Sequence, residues 1–187
     1  ILQQGSTRFT PEASQALDAS YTLKVEDRLN VYAPNPVPSA PQFKSACAFA
    51  GNNDTVNYLG YSLPPGVAWY GTHPSETLHV TLYWQPTQPI AESYATYVQL
   101  LNDKGERVLG QDNPQTASGK PTNQWQPNET ILDSAGLILP ADLPPGTYTL
   151  IAGMYLNQKG AITNLTPTCG QSAPLQGPIT LGTVEVK

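Results

Sequence analysis

Apolar and polar residues alternate along much of the chain after residue 55, in short runs separated by turns. From Glu76 to Gln85 the alternation is cleanest: Leu78, Val80, Leu82 and Trp84 fall on one face, Thr77, His79, Thr81 and Tyr83 on the other. The first set is predicted to face the core. Val56 to Leu63 reads as an earlier strand, ended by Pro64-Pro65-Gly66. Ser93 to Asn102 sends Thr96, Val98 and Leu100 inward, and Asp103-Lys104-Gly105-Glu106 then turns the chain into Arg107-Val108-Leu109 as a hairpin. Thr130 to Leu139 forms a further strand, bent near Ser134-Ala135-Gly136, where the alternation slips. Thr147 to Leu156 places Tyr148, Leu150, Ala152 and Met154 inside, and Ile179 to Val186 closes the sheet. The polar, turn-rich stretch Gln111–Asn128 is expected to cross between sheets.

One run carries more than periodicity. In Leu143-Pro144-Pro145-Gly146-Thr147-Tyr148 two prolines and a glycine stop the chain, and a tyrosine opens the next strand with its ring toward the core. A tyrosine near the start of the sixth strand of an immunoglobulin-like domain sends its hydroxyl back to the loop backbone and pins the corner. The predicted fold is therefore all-β, an immunoglobulin-like two-sheet β-sandwich of about seven strands with an extended N-terminal arm. The expected division is 1–54 for the arm and proline-rich lead-in and 55–187 for the sandwich. Residues 1 to about 50 lack regular alternation, and Thr10-Pro11-Glu12 followed by Ala13 to Leu17 reads as a short capped helix. Ala33 to Pro41 holds four prolines and is expected to be extended. It is either a tail that packs on nothing or a strap across the sandwich locked by Cys47.

Composition agrees with many short strands: of 187 residues, 19 are proline and 15 glycine, and only 12% are charged, where helical surfaces need far more Glu, Lys and Arg. The length suits one main domain with an appendage. A net charge of −5 and a pI near 4.8 exclude a nucleic-acid partner, since such proteins gather Lys and Arg on one face. No apolar run approaches the roughly 18 residues of a membrane span, so direct membrane insertion of this stretch is not expected. The chain opens on Ile1 rather than methionine, and the expectation is a piece of a longer protein whose targeting or membrane segments lie elsewhere. Cys47 and Cys169 have no CxxC spacing and no clustered histidines, which makes a zinc site poor and a disulfide the favoured reading. The bond would imply an oxidising, extracytoplasmic location; the alternative is two free thiols.

Candidate chemistry is thin. No serine stands in a Gly-x-Ser-x-Gly elbow, and Glu76, Glu129, Asp133 and Asp142 lie near strand or turn boundaries without the facing arrangement of a glycosidase pair. His73 and His79 read as surface residues, and Asn52-Asn53-Asp54 reads as a plain turn rather than a calcium loop. Asn53, Asn128 and Asn164 begin glycosylation patterns that matter only in a secretory pathway that reads them. No catalytic residue, metal ligand or cofactor is assigned. The functional lead is aromatic: Tyr97 and Gln99 point outward on one strand and Tyr155 outward on another that should neighbour it. Flat rings beside amides suit a sugar, whose C–H groups pack on the ring while its hydroxyls bond the polar side chains. The competing reading is that cross-strand tyrosines only stabilise an exposed sheet. Trp125 joins the candidate sugar contacts; it and Trp69 are either binding rings or plugs.

Three strand runs, Tyr58-Leu59-Gly60-Tyr61-Ser62-Leu63, Glu76 to Trp84 and Tyr97 to Gly105, stand in order. Pro121-Thr122-Asn123-Gln124-Trp125-Gln126-Pro127-Asn128-Glu129, Leu139 to Tyr148 and Leu181 to Val186 follow them. In this order the runs resemble a β-sandwich domain at the C-terminus of bacterial multi-spanning membrane glycosyltransferases, similar to the mannosyltransferases that use lipid-phosphate-linked sugars. The likeness covers roughly residues 56–187. Asn128 stands where that pattern has glycine, and asparagine also tolerates a left-handed turn. The resemblance implies a non-catalytic, externally facing accessory domain tethered to a membrane protein, because the transferase chemistry belongs to the membrane-embedded part. Its partners would be a glycan or acceptor and the transferase domain of the same chain. The alternative is a structural or protein-interaction module that touches no sugar.

Overall fold

A computed structural model of the protein describes residues 2–3, 21–26, 29–34, 37–63, 76–114, 119–170, 175 and 177–187. The expected helix near Thr10 and the residues Trp69 and His73 lie outside these. Near the N-terminus, β1 (Leu2–Gln3), β2 (Tyr21–Glu26) and β3 (Leu29–Pro34) form a three-stranded antiparallel sheet in the order β1-β3-β2. Tyr21, Leu23 and Val25 alternate with Thr22, Lys24 and Glu26, a period of two that marks β2 in the sequence.

The remaining strands build a two-sheet β-sandwich. β4 (Phe43–Gly51), β5 (Asp54–Ser62), β6 (Thr77–Pro86), β9 (Ile131–Ile138) and β12 (Thr166–Cys169) make one sheet, in the order β12-β4-β5-β6-β9. β7 (Tyr94–Leu101), β8 (Arg107–Asn113), β10 (Gly146–Gln158), β11 (Ala161–Asn164) and β13 (Ile179–Val186) make the other. In this second sheet β10 pairs β7 along one edge, while β13 and β11 share its other edge, β13 along Gly146–Ala152 and β11 along Tyr155–Gln158. The run β13-β10-β7-β8 facing β5-β6-β9 is the immunoglobulin-like order. Among the described residues the sandwich has ten strands where about seven are expected: β11 and β12 are short and largely polar, and β4 lies in the stretch read as arm. The sandwich ladder therefore starts at Phe43 rather than after residue 54.

The predicted core is the observed one. Leu78, Val80, Leu82 and Trp84 of β6 are at most 2% exposed, and Leu150, Ala152 and Met154 of β10 at most 1%. Trp84 packs edge-on against Phe49, with ring centroids 5.3 Å apart. The corner behaves as its sequence predicts: the Tyr148 hydroxyl donates to the Pro144 carbonyl at 2.7 Å. Asn52 and Asn53, at φ of 44° and 69°, form the two-residue turn of the β4–β5 hairpin, and Asn128 takes a left-handed φ of 64°. The Asp54 carboxylate is spent inside the fold, accepting from the Ala91 and Glu92 amides and the Tyr94 hydroxyl.

Two expectations change. β9 pairs with β6 in unbroken register from Ile131 to Ile138, with no bend at Ser134–Gly136. The alternation is intact there but includes a buried carboxylate, Asp133, which made it look broken. The crossing segment starts after Asn113 rather than at Gln111, because β8 runs on to Asn113. The proline-rich lead-in is a strap where it is described: the Tyr83 hydroxyl donates to the Pro38 carbonyl at 2.6 Å, and Gln42 bonds Ser62 and the Leu63 amide.

Asp133 ties the two sheets together, accepting from the Thr96 hydroxyl on β7 and, at 2.8 Å, from the Asn113 amide on β8. Burial raises its pKa, opposed by those two hydrogen bonds. The folded state therefore keeps this proton at pH values where the unfolded chain has lost it. The stability it contributes is complete below the ordinary value of about 4 and is lost as pH rises through the folded value. We expect Asp133→Asn to gain stability relative to the parent chain between pH 4 and 7. Urea midpoints at both pH values check this, and an unchanged difference contradicts it.

Candidate functional site

The outer face of the β10–β7–β8 sheet carries the candidate site. In an antiparallel ladder directly paired residues share a face. Tyr97 pairs with Gly153 on one side and Asp112 on the other, Gln99 with Ile151 and Gly110, and Tyr155 with Asn164. All point away from the core, as alternation predicts for Tyr97, Gln99 and Tyr155.

Two glycines in strand interiors let neighbouring side chains lie close against this face. A Cβ at Gly153 would lie 2.3 Å from the Tyr97 hydroxyl oxygen, and one at Gly110 would lie 2.7 Å from Arg107 Nε. The Tyr97 ring and the Arg107 guanidinium therefore rest where side chains would otherwise stand. The Tyr97 and Tyr155 centroids are 6.1 Å apart at 38°. A hollow on this face holds about 480 Å³, and its lining includes Tyr97, Gln99, Arg107, Asp112, Tyr155 and Ile162. A second hollow of about 340 Å³ shares Tyr97, Asn164 and Pro178 with it.

The lining is amphipathic. Tyr97 is 7% exposed. Tyr155 is half-buried, and Ile162 on β11 is 63% exposed, a large apolar side chain left open to the hollow. Burial, and then the Asp112 charge, raise the pKa of Tyr97. The same two causes raise that of Tyr155, opposed by Arg107. Both phenols thus remain protonated at neutral pH, each able to donate and accept. Arg107 Nη2 stands 3.8 Å from Asp112 Oδ2, with both side chains partly exposed.

The other sequence candidates fall elsewhere. Trp125 turns inward rather than onto this face: it is 2% exposed within the core cluster, and its Nε1 donates to the Lys120 carbonyl at 3.4 Å. It plugs the sandwich beside the short 3₁₀ turn Thr122–Gln124, whose Thr122 hydroxyl accepts from the Tyr94 amide at 2.7 Å. A ring with no free face cannot stack on a ligand. His79 is exposed on β6. Asp133 faces the core rather than a cleft, and Glu129 pairs with Lys120 at 2.9 Å. Among the described residues no three His, Cys, Asp or Glu side chains gather as a metal site, and no helix is long and apolar enough to cross a membrane. Cys47 and Cys169 are bonded. They are directly opposed residues of β4 and the edge strand β12, Cα atoms 4.1 Å apart.

Sequence reasoning named the two tyrosines and Gln99 among the residues lining this hollow, but not Arg107, Asp112, Ile162 or Asn164. The missing signal was the pair of strand-interior glycines, Gly110 and Gly153, which mark close approach of other groups to the backbone.

No family model matches this chain, and no curated protein matches it. Solved structures similar to it include the C-terminal domain of wzt, at 12% identity and a TM-score of 0.46, covering 76% of this chain and 89% of that one.

Proposed function

We propose that this protein is a non-catalytic, extracytoplasmic accessory domain that binds glycan on the outer face of its β10–β7–β8 sheet, in the service of a membrane glycosyltransferase. The observation that carries the reading is the hollow beside Tyr97, where two protonated tyrosines and an exposed isoleucine meet an amide, a guanidinium and a carboxylate. A pyranose has the matching anatomy, with apolar C–H edges and a ring of hydroxyls. The Cys47–Cys169 bond supports an oxidising compartment. Weak contacts of this kind would raise substrate concentration near a tethered catalyst.

Calorimetric titration with neutral hexose oligosaccharides tests it. We expect saturable binding that Tyr155→Ala weakens by about tenfold, the loss of roughly 1.4 kcal/mol of ring packing. An absence of saturable binding across the series favours the structural module instead.

A further inference from the structure

We infer that the Arg107–Asp112 pair sets the class of sugar this hollow accepts, a neutral glycan presenting two adjacent ring hydroxyls. The inference rests on the glycan reading above. A closed, charge-assisted pair sits at about 2.7–2.9 Å, whereas this one stands open at 3.8 Å with side chains 46% and 38% exposed. Arg107 only donates and Asp112 only accepts. A hydroxyl that donates to Asp112 while its neighbour accepts from Arg107 satisfies both, and a vicinal diol of a sugar ring supplies the two roles side by side.

Geometry holds the pair in place. The guanidinium lies over Gly110, where a side chain would displace it, and Asp112 is the ladder partner of Tyr97, whose ring borders the same hollow. The two charges cancel, so the hollow offers no net attraction to a uronate or phosphorylated sugar. An added carboxylate beside Asp112 meets a like charge in a partly desolvated site, which is how unwanted ligands are rejected.

The test compares hexamers of glucose, mannose and galactose with the hexamer of galacturonate, titrated at low ionic strength. We expect the parent chain to bind at least one neutral hexamer ten or more times more tightly than the acidic one. Asp112→Asn should shrink that ratio at least fivefold by strengthening galacturonate binding at the freed Arg107. Arg107→Gln should weaken the neutral ligand without admitting the acid. Thermal melts should stay within a degree or two, because so exposed a pair contributes little to stability. Equal binding of acidic and neutral hexamers by the parent chain, or an unchanged ratio in Asp112→Asn, overturns this inference and leaves the glycan reading intact. No binding to any hexamer overturns both.

Discussion

Replacing Cys47 and Cys169 together by alanine lowers the unfolding free energy by about 4–5 kcal/mol. The bond spans 122 residues of sequence, and in the chain-entropy model a loop of that size restricts the unfolded chain by about this amount. What remains at the site is modest. β12 is a four-residue edge strand held to β4 by the pairs Thr166–Ala50 through Cys169–Cys47, and its exposed side offers no second ladder. The chain without the bond therefore frays first along β12. Urea denaturation with and without reductant measures the effect, and the reduced parent chain should match the double variant. A loss below about 1 kcal/mol would mean that the bond restrains a chain already compact when unfolded.

Gly153→Ala is the second large effect, and it falls on binding rather than folding. The new Cβ would stand 2.3 Å from the Tyr97 hydroxyl oxygen and 2.4 Å from the ring carbon bearing it, inside any allowed contact. Only the end of a side chain blocks it, so the ring swings away and the backbone stays. Displaced, the Tyr97 ring obstructs the hollow it had bordered. We expect affinity for a bound neutral oligosaccharide to fall at least tenfold, about 1.4 kcal/mol, with the unfolding midpoint little changed. Gly136→Ala is the control: on β9 of the other sheet its Cβ would meet His79 at 3.3 Å, and affinity should not move. Equal losses in both variants would place the ligand elsewhere.

The sequence showed the sandwich wherever burial acts on every second residue. β6 and β10 were legible because four consecutive inward positions on each are apolar, and the Tyr148 corner because Pro, Gly and Tyr have few other reasons to stand together. β9 was harder to read, since its inward row includes Asp133, whose burial depends on Thr96 and Asn113 reaching it from the other sheet. No local pattern reports partners so far along the chain. β11 and β12 are short and polar and exist because β10 and β4 offer them free edges. The candidate site divides the same way. Alternation and strand order placed Tyr97, Gln99 and Tyr155 together, whereas Arg107 and Ile162 join them only through hairpin register. Trp125 went astray because loop position says nothing about which way a ring turns, and here it turns inward.

The most direct test is a map of backbone amide shifts in nitrogen-15-labelled protein as a neutral oligosaccharide is added. The account predicts saturable shifts concentrated at Tyr97, Gln99, Asp112, Gly153, Tyr155 and Ile162, with β6 and β9 unmoved. Saturable shifts gathered on the β5–β6–β9 face, with the tyrosine hollow silent, would contradict it.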